Sequence, residues 1–174
     1  MFTKKSLFIV LSVVVVIFLM NLFVLYMPFN KIINQDERNK GISVIPHYEY
    51  FVNPTVLVYD LRGISSDKSM MDVFRVLLQY SEQMKEHHFN RVILSANGKT
   101  KFVMKGEFFN NLGVEYGTQN PMYTIRTFPQ NLYRMSGEQA FGTWEGGMLG
   151  VLTKQMEDFN TFHQEWYLKD MLDK

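Results

Sequence analysis

The chain has 174 residues, 47% of them hydrophobic and 20% charged, with 15 Phe, 12 Met, no Cys and a formal net charge of +1. That balance excludes a disordered polymer, a disulfide-stapled secreted module, a zinc ribbon and a strongly basic nucleic-acid binder.

Residues 1–5 read as a short tail carrying Lys4 and Lys5, and Ser6 to Asn30 as a run of 25 residues without a charged side chain. As a helix that run is about 37 Å long, enough to cross a hydrocarbon core of about 30 Å. A cleavable signal peptide would need a shorter apolar region ending in a small-x-small site, whereas this run ends Leu25-Tyr26-Met27-Pro28. The segment 6–30 is therefore expected to be an uncleaved transmembrane signal anchor that meets the lipid bilayer. Without Cys the chain has no site for lipoprotein acylation. The two N-terminal lysines favour a cytoplasmic N-terminus and place the remaining chain outside the cytoplasm, as in a bacterial inner-membrane protein with a periplasmic domain. Zero cysteine suits that compartment.

Residues 31–53 mix charge, Gly41, Pro46 and aromatic side chains, and read as a juxtamembrane linker whose stretch from Ile42 to Val52 could pair at a sheet edge. Residues 54–174 carry a continuous globular pattern, enough for one domain with one core. From residue 31 onward acids and bases nearly balance, which leaves no electrostatic footprint for nucleic acid.

Within the domain, Thr55 to Asp60 is a β-branched apolar run that predicts a central strand buried on both faces. Ser65 to Asp72 supplies helix-start chemistry, with Ser69 and Asp72 spaced as a capping box. Met70, Phe74, Leu77, Ser81, Met84 and His88 recur at helical spacing and predict a helix of about 20 residues. Arg91 to Ala96 predicts a second buried strand, ended by Asn97-Gly98. Lys101 to Tyr116 is expected to be a helix weakened by Gly106 and Gly113. Pro121 to Phe128 predicts a third strand, Glu138 to Trp144 a short fourth, and Gly147 to Leu172 a long amphipathic helix. The class is α/β, a single N-terminal transmembrane helix followed by one small β-α-β-α-β(β)-α domain. That order matches a thioredoxin-like layout, in which Pro121 would open the third strand, although no cysteines occupy the first turn.

No complete catalytic constellation is legible. Asn97-Gly98-Lys99-Thr100 follows a strand as a phosphate loop would, but the glycine that should lead it is replaced by Ile93, and an ordinary turn is expected. Ser65-x-x-Lys68 has the spacing of a Ser-Lys nucleophile without its companion motifs, so helix capping is the expected role. The histidines His47, His87, His88 and His163 lack the convergence a metal needs, and no metal or cofactor is expected. His87 and His88 are expected at the C-terminal end of the first domain helix, where a cation is favoured. His163 is expected to stack among aromatic neighbours.

Asp60, at the carboxyl end of the first strand, is the candidate for an active-site acid, with Arg62 beside it, and His163 on the last helix is a further candidate that could line a pocket. An ion pair of Asp60 with Arg62 or Arg126 is the plainer reading. Ser95 and Asn97 complete that edge. For partner contact, the glycine-rich stretch around Trp144, Gly146 and Gly147 could form a recognition loop or a tight turn that lets Trp144 close the core. Asn21, a lone polar residue in the anchor, could bind a neighbouring helix.

Two functions compete. The expected one is a non-catalytic, membrane-anchored accessory or scaffold protein whose extracytoplasmic domain contacts a partner protein. The excess of Met and Phe suits such contacts. The alternative is a membrane-tethered enzyme or small-ligand-binding module using the carboxyl edge of the sheet.

Overall fold

A computed structural model describes residues 4–172. One helical rod runs from Lys4 to Gln35: α1 (Lys4–Met20), a π-helical turn (Asn21–Tyr26) and α2 (Met27–Gln35). The rod is long and apolar enough to cross a membrane. No residue of α1 is buried. At the π turn this changes abruptly, and Asn21, Leu25, Phe29 and Ile32 are buried in the domain core.

The rest is a mixed α/β fold on a five-stranded sheet. A 3-10 turn (Glu37–Asn39) leads into β1 (Ile42–Glu49) and β2 (Asn53–Ile64), then α3 (Met70–Gln83), β3 (Arg91–Ala96), β4 (Lys99–Lys105), α4 (Gly106–Glu115) and α5 (Pro121–Thr127). A two-residue strand β5 (Leu132–Tyr133) precedes α6 (Met148–His163), which continues through a π turn (Gln164–Leu168) into α7 (Lys169–Leu172). The sheet order is β1-β2-β3-β4-β5; only β2 and β3 are parallel, joined by the crossover helix α3.

The helical residues of the main core pack on one face of the sheet. Tyr59 of β2, Leu94 of β3, Phe102 of β4, Phe74 and Tyr80 of α3 and Trp166 belong to one core with Leu25, Phe29 and Ile32 of the rod. On the opposite face Val56, Val58 and Ile93 form a small apolar cluster with Val103 packed against it, and no helix contributes to that cluster. The rod is stitched to the core by shape and by hydrogen bonds. Phe29 meets the Tyr59 and Tyr80 rings edge-on at centroid distances of 6.2 and 5.8 Å. The Tyr80 hydroxyl donates to the Leu25 carbonyl of the π turn at 3.2 Å. Burial holds the Tyr80 hydroxyl far above its ordinary range, so it stays a donor.

Several expected elements are present. Ser69 caps α3 with the full reciprocal box to Asp72. Hydrogen bonds from Ser69 and from Arg75 hold the Asp72 carboxyl down at about 2. The strand Arg91–Ala96 and the terminal helix are found at their expected places, and the edge pairing of β1 with β2 is present.

Others differ. Residues 31–53, read as a linker, carry the end of α2 and all of β1, because Ile42, Val44 and Tyr48 alternate inward on the sheet. The helix expected over Lys101–Tyr116 is instead β4 followed by α4. Phe102 and Met104 point into the core while Lys101 and Lys105 flank them, so the period there is two, not 3.6. Pro121–Phe128 is not a strand. The Asn120 side chain accepts from the Met122 N–H at 2.9 Å and Pro121 occupies the first helical turn, a start signal that outweighs the β-branched residues after it. With Pro121 opening a helix, the proline that would open the third strand of a thioredoxin-like layout does not lead a strand. Glu138–Trp144 forms no strand beyond a bridge of Gln139 to Tyr133. Finally, α3 stops at Gln83, which leaves His87 and His88 exposed in the following turn, beyond the helix end expected to hold them.

Candidate functional site

At the carboxyl edge of the sheet, Asp60 is buried and both its oxygens are engaged. One accepts from the Gly98 N–H at 3.0 Å, and the other pairs with the Arg62 guanidinium. Gly98 belongs to the β3–β4 hairpin, where Asn97 and Gly98 both take positive φ (50° and 78°), the geometry of a two-residue type I′ turn. Asn97-Gly98-Lys99-Thr100 is thus a hairpin tip, and Asp60 orders it from beneath. Ser95 gives its carbonyl to the Trp166 indole at 3.0 Å. Arg126 bonds Gln155 rather than Asp60.

His163 ends α6 with no solvent exposure. Its ring lies against Phe74, Phe159, Phe162, Trp166 and Tyr167, and Nδ1 is 3.0 Å from the Tyr167 hydroxyl. Burial in that aromatic cage pushes its pKa down to about 3, so the imidazole is neutral. Asp60 and Arg62 are joined to each other, and His163 belongs to a separate aromatic cluster.

Among the remaining candidates, Ser65 and Lys68 precede α3 rather than sharing a face of it, and Lys68 pairs with Asp67 at 2.9 Å. His47 stacks on Phe51 at 4.5 Å. Among the described residues no group of three or more His, Cys, Asp or Glu could hold a metal ion. Trp144 does not close the core. It is 39% exposed, its indole donates to Asp158 at 2.6 Å, and the Lys154 ammonium lies 5.8 Å from the ring centroid. Gly146 takes φ of +131° and Gly147 caps α6, with open space around both and Met148 and Leu149 standing exposed beside them.

Asn21 spends its amide inside the chain. Its NH2 donates to the Ile17 carbonyl at 2.9 Å and to the Phe51 carbonyl at 2.8 Å, while its oxygen accepts from the Tyr48 N–H at 2.8 Å. Replacing it would strand the Tyr48 N–H and the Phe51 carbonyl at the joint between rod and sheet. Asn21→Leu is expected to cost about 1 to 3 kcal/mol of domain stability, the cost of leaving a buried donor such as the Tyr48 N–H without a partner. Denaturant titration of the full chain in detergent checks this; an unchanged midpoint would show that the joint does not depend on the amide.

The surface feature that sequence reasoning missed is an apolar groove of about 420 Å³ between α3, α4 and α5. Met71, Phe74, Leu78, Leu112 and Ile125 line it, with Arg75 and Glu115 at its margin. Gly113 makes the α3–α4 wall possible, since a side chain there would strike the Ser81 carbonyl on α3. The signal was present as a second apolar row on α3 (Met71, Phe74, Leu78), but the misassigned strand at Pro121 hid the opposite wall. Asp60, Arg62 and His163 do not line this groove.

No family model, curated protein or solved structure matches this chain.

Proposed function

We propose that this chain is a single-pass, membrane-anchored accessory or scaffold protein whose α/β domain is held at the membrane face and contacts a partner protein. One observation carries the reading: an apolar helix, uncovered along α1, continues unbroken into a segment whose Leu25, Phe29 and Ile32 are core residues of the domain. A flexible tether would let the domain tumble; this joint fixes its attitude to the rod, which is what presenting one surface to a membrane-bound partner requires. The N-terminal lysines favour a cytoplasmic start and an extracytoplasmic domain, consistent with a bacterial inner membrane and periplasm.

The α3–α4–α5 groove is the proposed contact surface, with the exposed stretch from Gly146 to Leu149 as a second one. An apolar centre rimmed by Arg75 and Glu115 has the composition of a protein-contact patch. The test is a photo-crosslinking residue in place of Met71, which is 44% exposed at the groove, with Met135 as the distant control. In native membranes the Met71 site is expected to give a discrete adduct and the Met135 site none. A solitary monomer with no adduct at Met71 would sink the scaffold reading.

A second reading rests on the groove's volume, which falls within the range of small-molecule sites, about 300 to 1,000 Å³. In that case the domain is a tethered binder of a small apolar ligand. Mass spectrometry of the denatured, membrane-purified protein would then release one compound at near-stoichiometric yield.

A further inference from the structure

The β1–β2 turn carries Tyr50, Phe51 and Val52, which are 81%, 53% and 58% exposed. Tyr50 and Phe51 both have positive φ, 52° and 65°. Large aromatic residues are disfavoured there, and glycine or asparagine would build the same turn without strain. Strain of this kind, with Tyr50 and Val52 held out into solvent and Phe51 half exposed beside the His47 ring, points to a use for the side chains themselves. The turn is also not free to swing. Asn21 grips it through the Phe51 carbonyl and the Tyr48 N–H. Tyr48, at the end of β1, lies against Asn21, so β1 brings its tip to the level where the uncovered apolar rod begins.

Length supplies the second argument. The uncovered helix Lys4–Met20 has 17 residues and is about 25 Å long, short of a hydrocarbon core of about 30 Å. The missing depth falls on the next turns of the rod, whose outward side still shows Phe23, Tyr26 and Met27 but whose other side carries the domain. Whatever part of the domain flanks those turns must enter the bilayer boundary. The part bonded to Asn21 is this turn. Aromatic and aliphatic side chains are what that boundary favours.

We infer that the Tyr50-Phe51-Val52 turn is a membrane-inserting wedge, seated among the lipid acyl chains and headgroups beside the anchor, which sets how deep and at what angle the rod sits. This rests on the reading of α1 as a membrane span. The partner is the lipid bilayer itself, reached by continuity with the rod's apolar surface.

The absence of cysteine makes the test direct. Full-length protein carrying a single environment-sensitive label at Val52→Cys, Val14→Cys or Val114→Cys would be reconstituted in vesicles of phosphatidylcholine and phosphatidylglycerol. Nitroxide-bearing lipids and aqueous iodide serve as the two quenchers. The label at 52 is expected to shift to shorter wavelength, to be quenched severalfold more by shallow nitroxide lipids than the label at 114, and to be protected from iodide. The label at 14 should be quenched by deep nitroxides. If the label at 52 behaves like that at 114 while 14 stays buried in lipid, the wedge is refuted and the anchor stands. If 14 is open to iodide, the anchor itself fails and the wedge with it.

Discussion

Gly106→Ala is expected to destabilise the domain by about 3 kcal/mol or more, enough to remove much of the stability of a small domain. Gly106 opens α4 immediately after β4, and its N–H donates to the Asn90 carbonyl at 3.0 Å. A Cβ there would overlap the Phe89 carbonyl, which is backbone and cannot rotate away as a side chain could. Relief would require moving β3 or α4, and both pack on the core. Gly147→Ala is the natural control: its φ is −65° and nothing lies within 4 Å of the new methyl, so its effect should stay within about 0.5 kcal/mol. Thermal unfolding of both variants in detergent decides the matter. An unchanged midpoint for Gly106→Ala would mean that the contact between the β4–α4 junction and Phe89 is looser than its geometry implies.

Acid should weaken the fold well before carboxylates are protonated. His163 is neutral in the native state because burial pushes its pKa down to about 3, whereas in the unfolded chain it takes up a proton near pH 6.5. Its contribution is therefore fully present above about pH 6.5 and is lost as pH falls toward 3, since only the unfolded state gains the proton in that window. Linkage makes the loss about 2 kcal/mol between about pH 7 and pH 5, rising to the order of 4 to 5 kcal/mol once pH reaches the native value. Asp72, held at about 2, follows the other sign rule for a lowered acid and begins to cost stability only below about pH 4. The two effects separate by range. Denaturant titrations of the native chain and of His163→Leu at pH values from 7 to 5 should show a steep slope for the former and a shallow one for the latter. Parallel slopes would mean that the native imidazole can accept a proton in place.

What the sequence disclosed and concealed follows from how local each signal is. The capping box at Ser69 and Asp72, the Asn97-Gly98 turn and the buried run Arg91–Ala96 depend on neighbours in the chain, and each lies where its pattern indicates. The strand β4 was hidden because Met104, Phe108 and Leu112 recur every four residues as a helical stripe does, which masked the period of two at Phe102 and Met104 before the turn into a helix at Gly106. Pro121 misled because the β-branched residues beyond it carried more weight than the Asn120 cap before it. The joint at Asn21 was hidden for a different reason. Leu25 and Phe29 are as apolar as their neighbours Phe23 and Met27, so nothing in the composition separates a side chain facing the core from one left uncovered. The candidate site fared similarly: Asp60 and Arg62 were found as a pair, but the groove required α5, which only the three-dimensional arrangement revealed.

The seam between rod and sheet also bears on whether the domain could ever be shed. A protease cutting at the exposed Lys31 or Asn34 would separate Leu25 and Phe29 from the domain, and the Tyr59 and Tyr80 rings would lose the side chains packed against them. The released fragment would lack part of its own interior. Cleavage near the carboxyl end of the rod is thus a route to disposal, and any stable released fragment must carry the helix from Asn21 onward with it.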